Sequence, residues 1–262
     1  MEDGLKIDYL GWSGFHIHNH KDINVFIDPP RKTSFMNGEN IIFISHGHPE
    51  HLGGTLDYVK DKSSQQPTTI IASKNVCSYL KHHCQRDYVN FINVRSLERR
   101  ILTPTISFEA FKWSHMPLLP PGIGAALGHL WQLIKGYRTA WRIIKMSLGG
   151  PFGAGEMLGY VLKFKNDQNI IIYGEGLHRN CNLKDVKAIG DKAKGSTLLV
   201  AAEPEDSEEL PDLINTSGAQ RVILYEPHGL WRDIFKLPHI DLKALKNTLT
   251  KGGIKAEIAH KI

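Results

Sequence analysis

Residues 41–54 read Ile-Ile-Phe-Ile-Ser-His-Gly-His-Pro-Glu-His-Leu-Gly-Gly, an apolar run followed at once by three histidines and a glutamate. The apolar residues at the start are typical of a strand that is buried on both faces. His46, His48, Glu50 and His51 follow the carboxyl end of that strand. Imidazole nitrogens and carboxylate oxygens are common ligands of divalent metal ions. The stretch therefore predicts a metal site at the end of a buried strand.

The overall composition is typical of a globular protein. The chain has 262 residues, of which 41% are hydrophobic and 23% are charged, enough for a substantial core. A net charge of +5 is mild and gives no strong nucleic-acid signal. Three cysteines are an odd number, and the first residues are not an apolar signal segment. We therefore expect a cytoplasmic protein with no disulfide framework and no membrane span.

Several other predicted strands also end in a residue that can bind metal. Strand-like segments at 5–18 and 23–27 precede Asp28, and those at 105–112, 169–173 and 221–224 precede His115, Glu175 and His228. Further strands are predicted at 68–72, 88–94, 159–164, 196–201 and 256–259, and helices at 52–59, 76–86, 183–193, 207–217 and 242–249. Side chains at the ends of buried strands are held rigidly, which suits metal ligands.

This arrangement resembles the metallo-β-lactamase superfamily. The family motif His-x-His-x-Asp-His appears here as His46-Gly47-His48-Pro49-Glu50-His51, and the resemblance extends from Tyr9 to His228. It implies an α/β (α+β) fold, a four-layer αββα sandwich, in a single domain over residues 1–262. Residues 10–15 (Leu-Gly-Trp-Ser-Gly-Phe) and 27–29 (Ile-Asp-Pro) are most similar to the compact branch that includes ascorbate-6-phosphate lactonase.

The resemblance also implies a site for two divalent metal ions, with zinc favoured and iron or manganese as alternatives. The implied ligands are His46, His48 and His115 for one ion, Glu50, His51 and His228 for the other, and Glu175 as the bridge. Asp28 matches a family position that supports the histidine loop by hydrogen bonding. The chain departs from the family pattern in having Glu50 and Glu175 where aspartate is usual.

Such a site predicts a metal-dependent hydrolase. Two divalent ions lower the pKa of a bridging water, and they polarise the carbonyl or phosphoryl group that is attacked. We expect cleavage of an ester, lactone, amide or phosphodiester, with Glu50 and Glu175 positioning the hydroxide. A di-iron oxidoreductase on the same fold is an alternative, because glutamate ligands suit a harder metal. A nuclease or phospholipid-type phosphodiesterase and a binding protein without catalysis are further alternatives.

Other residues are weaker candidates. Trp12, His178 and Trp231 are predicted to line the substrate pocket, although both tryptophans could equally pack in the interior. His16, His18 and His20 alternate on one strand and share a face. That pattern favours a solvated hairpin edge over a metal role.

A helical insertion is predicted at residues 116–158, on the rim of the site. Between 125 and 148 the apolar residues recur at spacings of three and four, with Lys135, Arg138, Arg142 and Lys145 on the opposite side. The helix could pack on the parent fold or in a homo-oligomer, close as a lid, or dock on an anionic membrane surface. The last two roles suit a small-molecule or lipid-like substrate that carries negative charge.

Overall fold

Two β-sheets face each other across an apolar core, and helices pack on the outer face of each sheet. The computed structural model describes residues 4–19, 23–63, 65–114, 155–165 and 168–262, except for the side chains of residues 231, 234 and 235. The inter-sheet core contains Phe15, Phe43, Phe108 and Tyr160, all buried. This is the predicted αββα order of layers.

The first sheet has six strands in sequential order. They are β1 (Lys6–Gly11), β2 (Gly14–His18), β3 (Asn24–Ile27), β4 (Asn40–Phe43), β5 (Thr68–Ala72) and β6 (Val89–Asn93). Strands β1 to β3 are antiparallel, and β3 to β6 are parallel. Helices α1 (Pro49–Lys60) and α2 (Lys74–His83) cover the outer face, where Leu52 and Val76 share one buried apolar cluster with Ile42.

The second sheet has seven strands in the order β13-β12-β11-β10-β9-β8-β7. They are β7 (Arg99–Thr103), β8 (Ile106–Lys112), β9 (Leu158–Phe164), β10 (Asn169–Ile172), β11 (Thr197–Ala201), β12 (Arg221–Tyr225) and β13 (Lys255–Ile258). Strands β10 to β13 are parallel. The helices in this half of the chain are α3 (Leu183–Asp191), α4 (Leu210–Thr216), α5 (Gly229–Phe235) and α6 (Leu242–Lys251).

The structure corrects the predicted strand at 5–18. This segment forms two strands, β1 and β2, which pair antiparallel around a reversal at Gly11–Gly14. Gly11 and Trp12 have φ angles of 98° and 55°, the left-handed region that a continuous strand excludes. Strand β7 and helix α5 were not predicted from the sequence.

The predicted insertion falls mostly on residues 115–154, which lie outside the described residues. The proposed roles of the helix predicted at 125–148 therefore stay predictions. Within the described part of the chain, no helix combines the length and the apolar character needed to cross a bilayer.

Candidate metal centre

The carboxyl ends of the parallel strands in both sheets meet at one edge of the sandwich. His46 follows β4, and Glu175 follows β10 of the opposite sheet. The Nε2 atom of His46 lies 3.1 Å from Oε1 of Glu175, so the loops that leave the two sheets touch there. Both side chains are buried.

Four of the predicted ligands gather at this point. One ligand atom each of His46, His51 and Glu175 lies within 4.8 Å of the other two. The Nδ1 atom of His48 is 2.9 Å from His46 Nε2 and 3.6 Å from Glu175 Oε1. The side chain of His48 is 34% exposed, whereas the other three are nearly inaccessible, so His48 marks the solvent side of the cluster.

Asp28 lies directly behind the histidines, at the end of β3. It is completely buried, and its carboxylate accepts hydrogen bonds from Ser45 N at 2.7 Å and Ser45 Oγ at 2.6 Å. It also accepts from His51 Nδ1 at 2.9 Å. Because Nδ1 of His51 donates to Asp28, Nε2 is the nitrogen left for a metal, and it has a lone pair when the ring is neutral. Asp28 therefore fixes the histidine tautomer that can bind a metal.

Ser45 does the same for His46. Its hydroxyl donates to Asp28, and the oxygen lies 3.0 Å from His46 Nδ1. Since that hydroxyl proton is already committed, Ser45 Oγ accepts from His46 Nδ1, which leaves the lone pair of His46 on Nε2. The motif-based prediction missed Ser45, although its position next to His46 was visible in the sequence.

The two buried histidines have opposite pKa shifts. Burial, together with the nearby His51, lowers the pKa of His46 to about 4, which keeps the ring neutral. Burial acts in the same direction on His51, but the Asp28 carboxylate outweighs it and raises the pKa of His51 to about 8.

The donor set fits a divalent cation. The lone pair of His46 Nε2 faces a carboxylate oxygen of Glu175, and two acceptors at that distance need a proton or a cation between them. Ligand atoms around a tetrahedral ion with bonds of about 2.1 Å lie about 3.4 Å apart. The separations of 2.9 to 3.6 Å among His46, His48 and Glu175 are close to that value.

Comparisons with known proteins identify the fold that carries these residues. No family model matches the chain, and no curated protein matches it by sequence. Among solved structures, a presumed metal-dependent hydrolase from Parabacteroides distasonis has a TM-score of 0.62 at 14% identity, over 97% of this chain and 92% of that one. The metallo-β-lactamase fold protein YhfI from Bacillus subtilis has a TM-score of 0.56 at 11% identity, over 96% and 90%. This chain has the metallo-β-lactamase fold.

A third solved structure with the same arrangement contains metal. Zn²⁺-bound PqqB from Methylobacterium extorquens has a TM-score of 0.50 at 11% identity, over 94% of this chain and 85% of that one. The predicted four-layer metallo-β-lactamase fold is confirmed. The assignment to the branch of ascorbate-6-phosphate lactonase stays a prediction.

His228 lies at the same edge of the metallo-β-lactamase fold, after β12. Its Nδ1 is 2.7 Å from Oε1 of Glu203, which follows the neighbouring strand β11 and is buried. Arg232 Nε holds the other oxygen of Glu203 at 2.7 Å. Glu203 thus directs the Nδ1 proton of His228 and leaves the lone pair on Nε2, as Asp28 does for His51. Among the described residues, His228 is not part of the group within 4.8 Å.

The remaining predicted site residues lie in different surroundings. Glu50 is half-buried in the first turn of α1 and does not belong to the close ligand group of the described residues. Trp12 is half-buried on the β1–β2 turn, with its carbonyl oxygen bonded to Tyr9 Oη at 2.7 Å. His115 and the side chain of Trp231 lie outside the described residues.

His178 is completely buried, 3.1 Å from Ser114 Oγ through Nε2. Its Nδ1 forms no hydrogen bond with any described residue. Burial lowers the pKa of His178, which favours the neutral ring. The predicted contact between His178 and a substrate stays a prediction.

Proposed function

We propose that this chain is a metal-dependent hydrolase whose site holds two divalent cations, most simply zinc. The observation that carries the proposal is the convergence of His46, His48, His51 and Glu175, with two of the histidines in the tautomer that binds metal. A Zn²⁺-bound protein and a presumed metal-dependent hydrolase on the same fold support it.

The proposed ligands are those that the family resemblance implies from the sequence. His46, His48 and His115 would hold one cation, and Glu50, His51 and His228 the other, with Glu175 shared between them. The longer side chains of Glu50 and Glu175, compared with aspartate, give each carboxylate one more rotatable bond for reaching a cation.

When bound, the cations would lower the pKa of a water molecule and polarise the bond to be cleaved. The protein groups around them set the proton positions. Asp28 and Ser45 keep protons on the Nδ1 atoms of His51 and His46, and Glu203 does so for His228. Glu175 supplies a buried negative charge that offsets the charge of the cations.

The substrate class that suits this chemistry is an ester, lactone, amide or phosphodiester. A partly apolar, anionic substrate would bind against the basic helix predicted at 125–148. We also propose that the protein is cytoplasmic. Glu50 and Glu175 would position the attacking water.

The experiment is a substrate screen on protein that has been stripped by chelation and then reloaded with Zn²⁺, Mn²⁺ or Fe²⁺. We expect hydrolysis of at least one lactone, ester or phosphodiester by reloaded protein, and its loss in His46→Gln. His82→Gln is the matched control, because His82 is an exposed histidine on α2. Equal turnover in the stripped and reloaded protein, or full turnover in His46→Gln, would refute the proposal. A redox-dependent visible spectrum in the iron-loaded protein, without any hydrolysis, would favour the oxidoreductase instead.

A further inference from the structure

A second group of metal-ligating side chains lies on the β1–β2 hairpin and shares no residue with the His46 centre. One ligand atom each of Asp8, His16 and His18 lies within 4.8 Å of the other two. Asp8 pairs with His16 across the antiparallel strands, and His18 is two residues further along β2. Cross-strand partners and residues two apart share a face, so the sheet itself brings the three side chains together.

These residues are less solvated than a hairpin edge would be. His16 is buried, and its ring stacks between Phe26, with centroids 4.3 Å apart, and His18, with centroids 4.4 Å apart. The side chains of His18 and Asp8 are 19% and 34% exposed. The site therefore has one rigid buried member and an open side through which an ion can enter. This corrects the expectation that His16 belongs to a solvated edge.

A directed chain of hydrogen bonds fixes the proton of His16. Asn40 Nδ2 donates to the carbonyl oxygens of Met36 and Gly38, which leaves Asn40 Oδ1 as an acceptor. Asn24 Nδ2 donates to that oxygen at 2.7 Å, so Asn24 Oδ1 must accept from His16 Nε2 at 2.7 Å. His16 therefore carries its proton on Nε2 and its lone pair on Nδ1. Metal-binding histidines commonly donate the proton of their other ring nitrogen to a fixed acceptor in this way.

The other two side chains, His18 and Asp8, share a proton that a cation can replace. His18 Nε2 lies 2.8 Å from Asp8 Oδ2, with a single proton between nitrogen and oxygen. Replacing that proton by a cation needs only a small widening, to about 3.4 Å between the two ligand atoms. The displaced proton is released to solvent when the cation binds.

We propose that Asp8, His16 and His18 form a second divalent-cation site of the zinc type, separate from the His46 centre. Two imidazoles and one carboxylate match a zinc site with three protein ligands, and nitrogen ligands disfavour Ca²⁺ and Mg²⁺. The bound ion would tie β1 to β2 at the edge of the six-stranded sheet. The proposal does not depend on the hydrolase assignment.

The test is zinc stoichiometry by equilibrium dialysis and elemental analysis of metal-stripped protein that has been titrated with ZnCl₂. We expect His18→Gln and Asp8→Asn each to bind about one zinc ion fewer than the wild type, with His82→Gln unchanged. Both substituted side chains are partly exposed, so the circular dichroism spectrum of the metal-free variants should match that of the wild type.

The same titration separates this site from the main centre. His46→Gln should keep the zinc ion that His18→Gln loses, and the double variant should lose both contributions. Wild-type stoichiometry in both His18→Gln and Asp8→Asn would overturn the proposal. A His18-dependent zinc ion that is present when the main centre binds none would support this site while refuting the metal centre at His46.

Discussion

Replacing Asp28 by asparagine tests the support beneath the histidine loop. In the wild type one carboxylate oxygen accepts from both Ser45 Oγ and His51 Nδ1, and the other accepts from Ser45 N. An asparagine has the same size, but one of its two oxygens is replaced by an amide N–H₂. That group would face either Ser45 N or the pair of Ser45 Oγ and His51 Nδ1. The hydroxyl of Ser45 can rotate and accept, but the N–H of His51 cannot, so one buried donor loses its acceptor.

The magnitude follows from the coupling between Asp28 and His51. The rise of the His51 pKa from 6.5 to about 8 corresponds to about 2 kcal/mol of favourable interaction with the charged ring. Both side chains are almost completely buried, so solvent screening does not reduce it much. Because the folded-state pKa is raised, this stability is fully present below the unfolded pKa and is lost as pH rises through about 8.

The assay is urea unfolding of chelator-stripped protein at about pH 7 and about pH 9. The titration of His51 should make the free energy of unfolding of the wild type about 1 kcal/mol larger at the lower pH. Asp28→Asn should lack that difference. We also expect Asp28→Asn to lower zinc affinity about 10- to 100-fold. The exposed Asp57→Asn on α1 is the control. An unchanged pH dependence in Asp28→Asn would show that Asp28 does not hold His51.

Three further predictions concern the packing of Gly54, the buried carboxylate of Glu203 and the bound metal. Gly54→Ala should destabilise the protein by about 2–3 kcal/mol in urea unfolding, because its Cβ would lie 2.4 Å from the backbone oxygen of Pro29. Gly53→Ala meets only the flexible side chain of Arg31 and should be tolerated; equal losses for the two variants would contradict the packing. Glu203→Gln should lower the free energy of unfolding by about 3 kcal/mol, because it weakens the buried ion pair with Arg232. A thermal midpoint equal to that of the wild type would contradict this role of Glu203. Chelation should lower the thermal midpoint of zinc-loaded protein reversibly, and the absence of any shift would count against specific binding.

Much of the fold could be predicted because its strands are buried and regular. The apolar run at 41–44 is short enough for a buried strand, and the sequence of β8 alternates between apolar and polar residues from Ile106 to Ala110. Strand β7 is mostly exposed and presents no buried face, so its residues carry no such pattern. The reversal at Trp12 escaped prediction because a bulky residue at positive φ is rare in turns.

The site was predictable only in part, for a different reason. The proposed ligands His46, His48 and His51 are close in sequence, and their motif marks them as candidates. The partners that fix their protons are contacts in space: Glu203 and His228 are 25 residues apart and meet because β11 and β12 are parallel neighbours. Sequence patterns along one strand do not reveal which carboxylate on the next strand faces a histidine.

The most direct test of the metal centre is anomalous X-ray scattering at the zinc edge from crystals of zinc-loaded protein. The structure predicts anomalous peaks within about 2.1 Å of His46 Nε2, with Glu175 Oε1 and His48 Nδ1 completing the coordination. A loaded crystal with no anomalous peak between these three side chains would contradict the account.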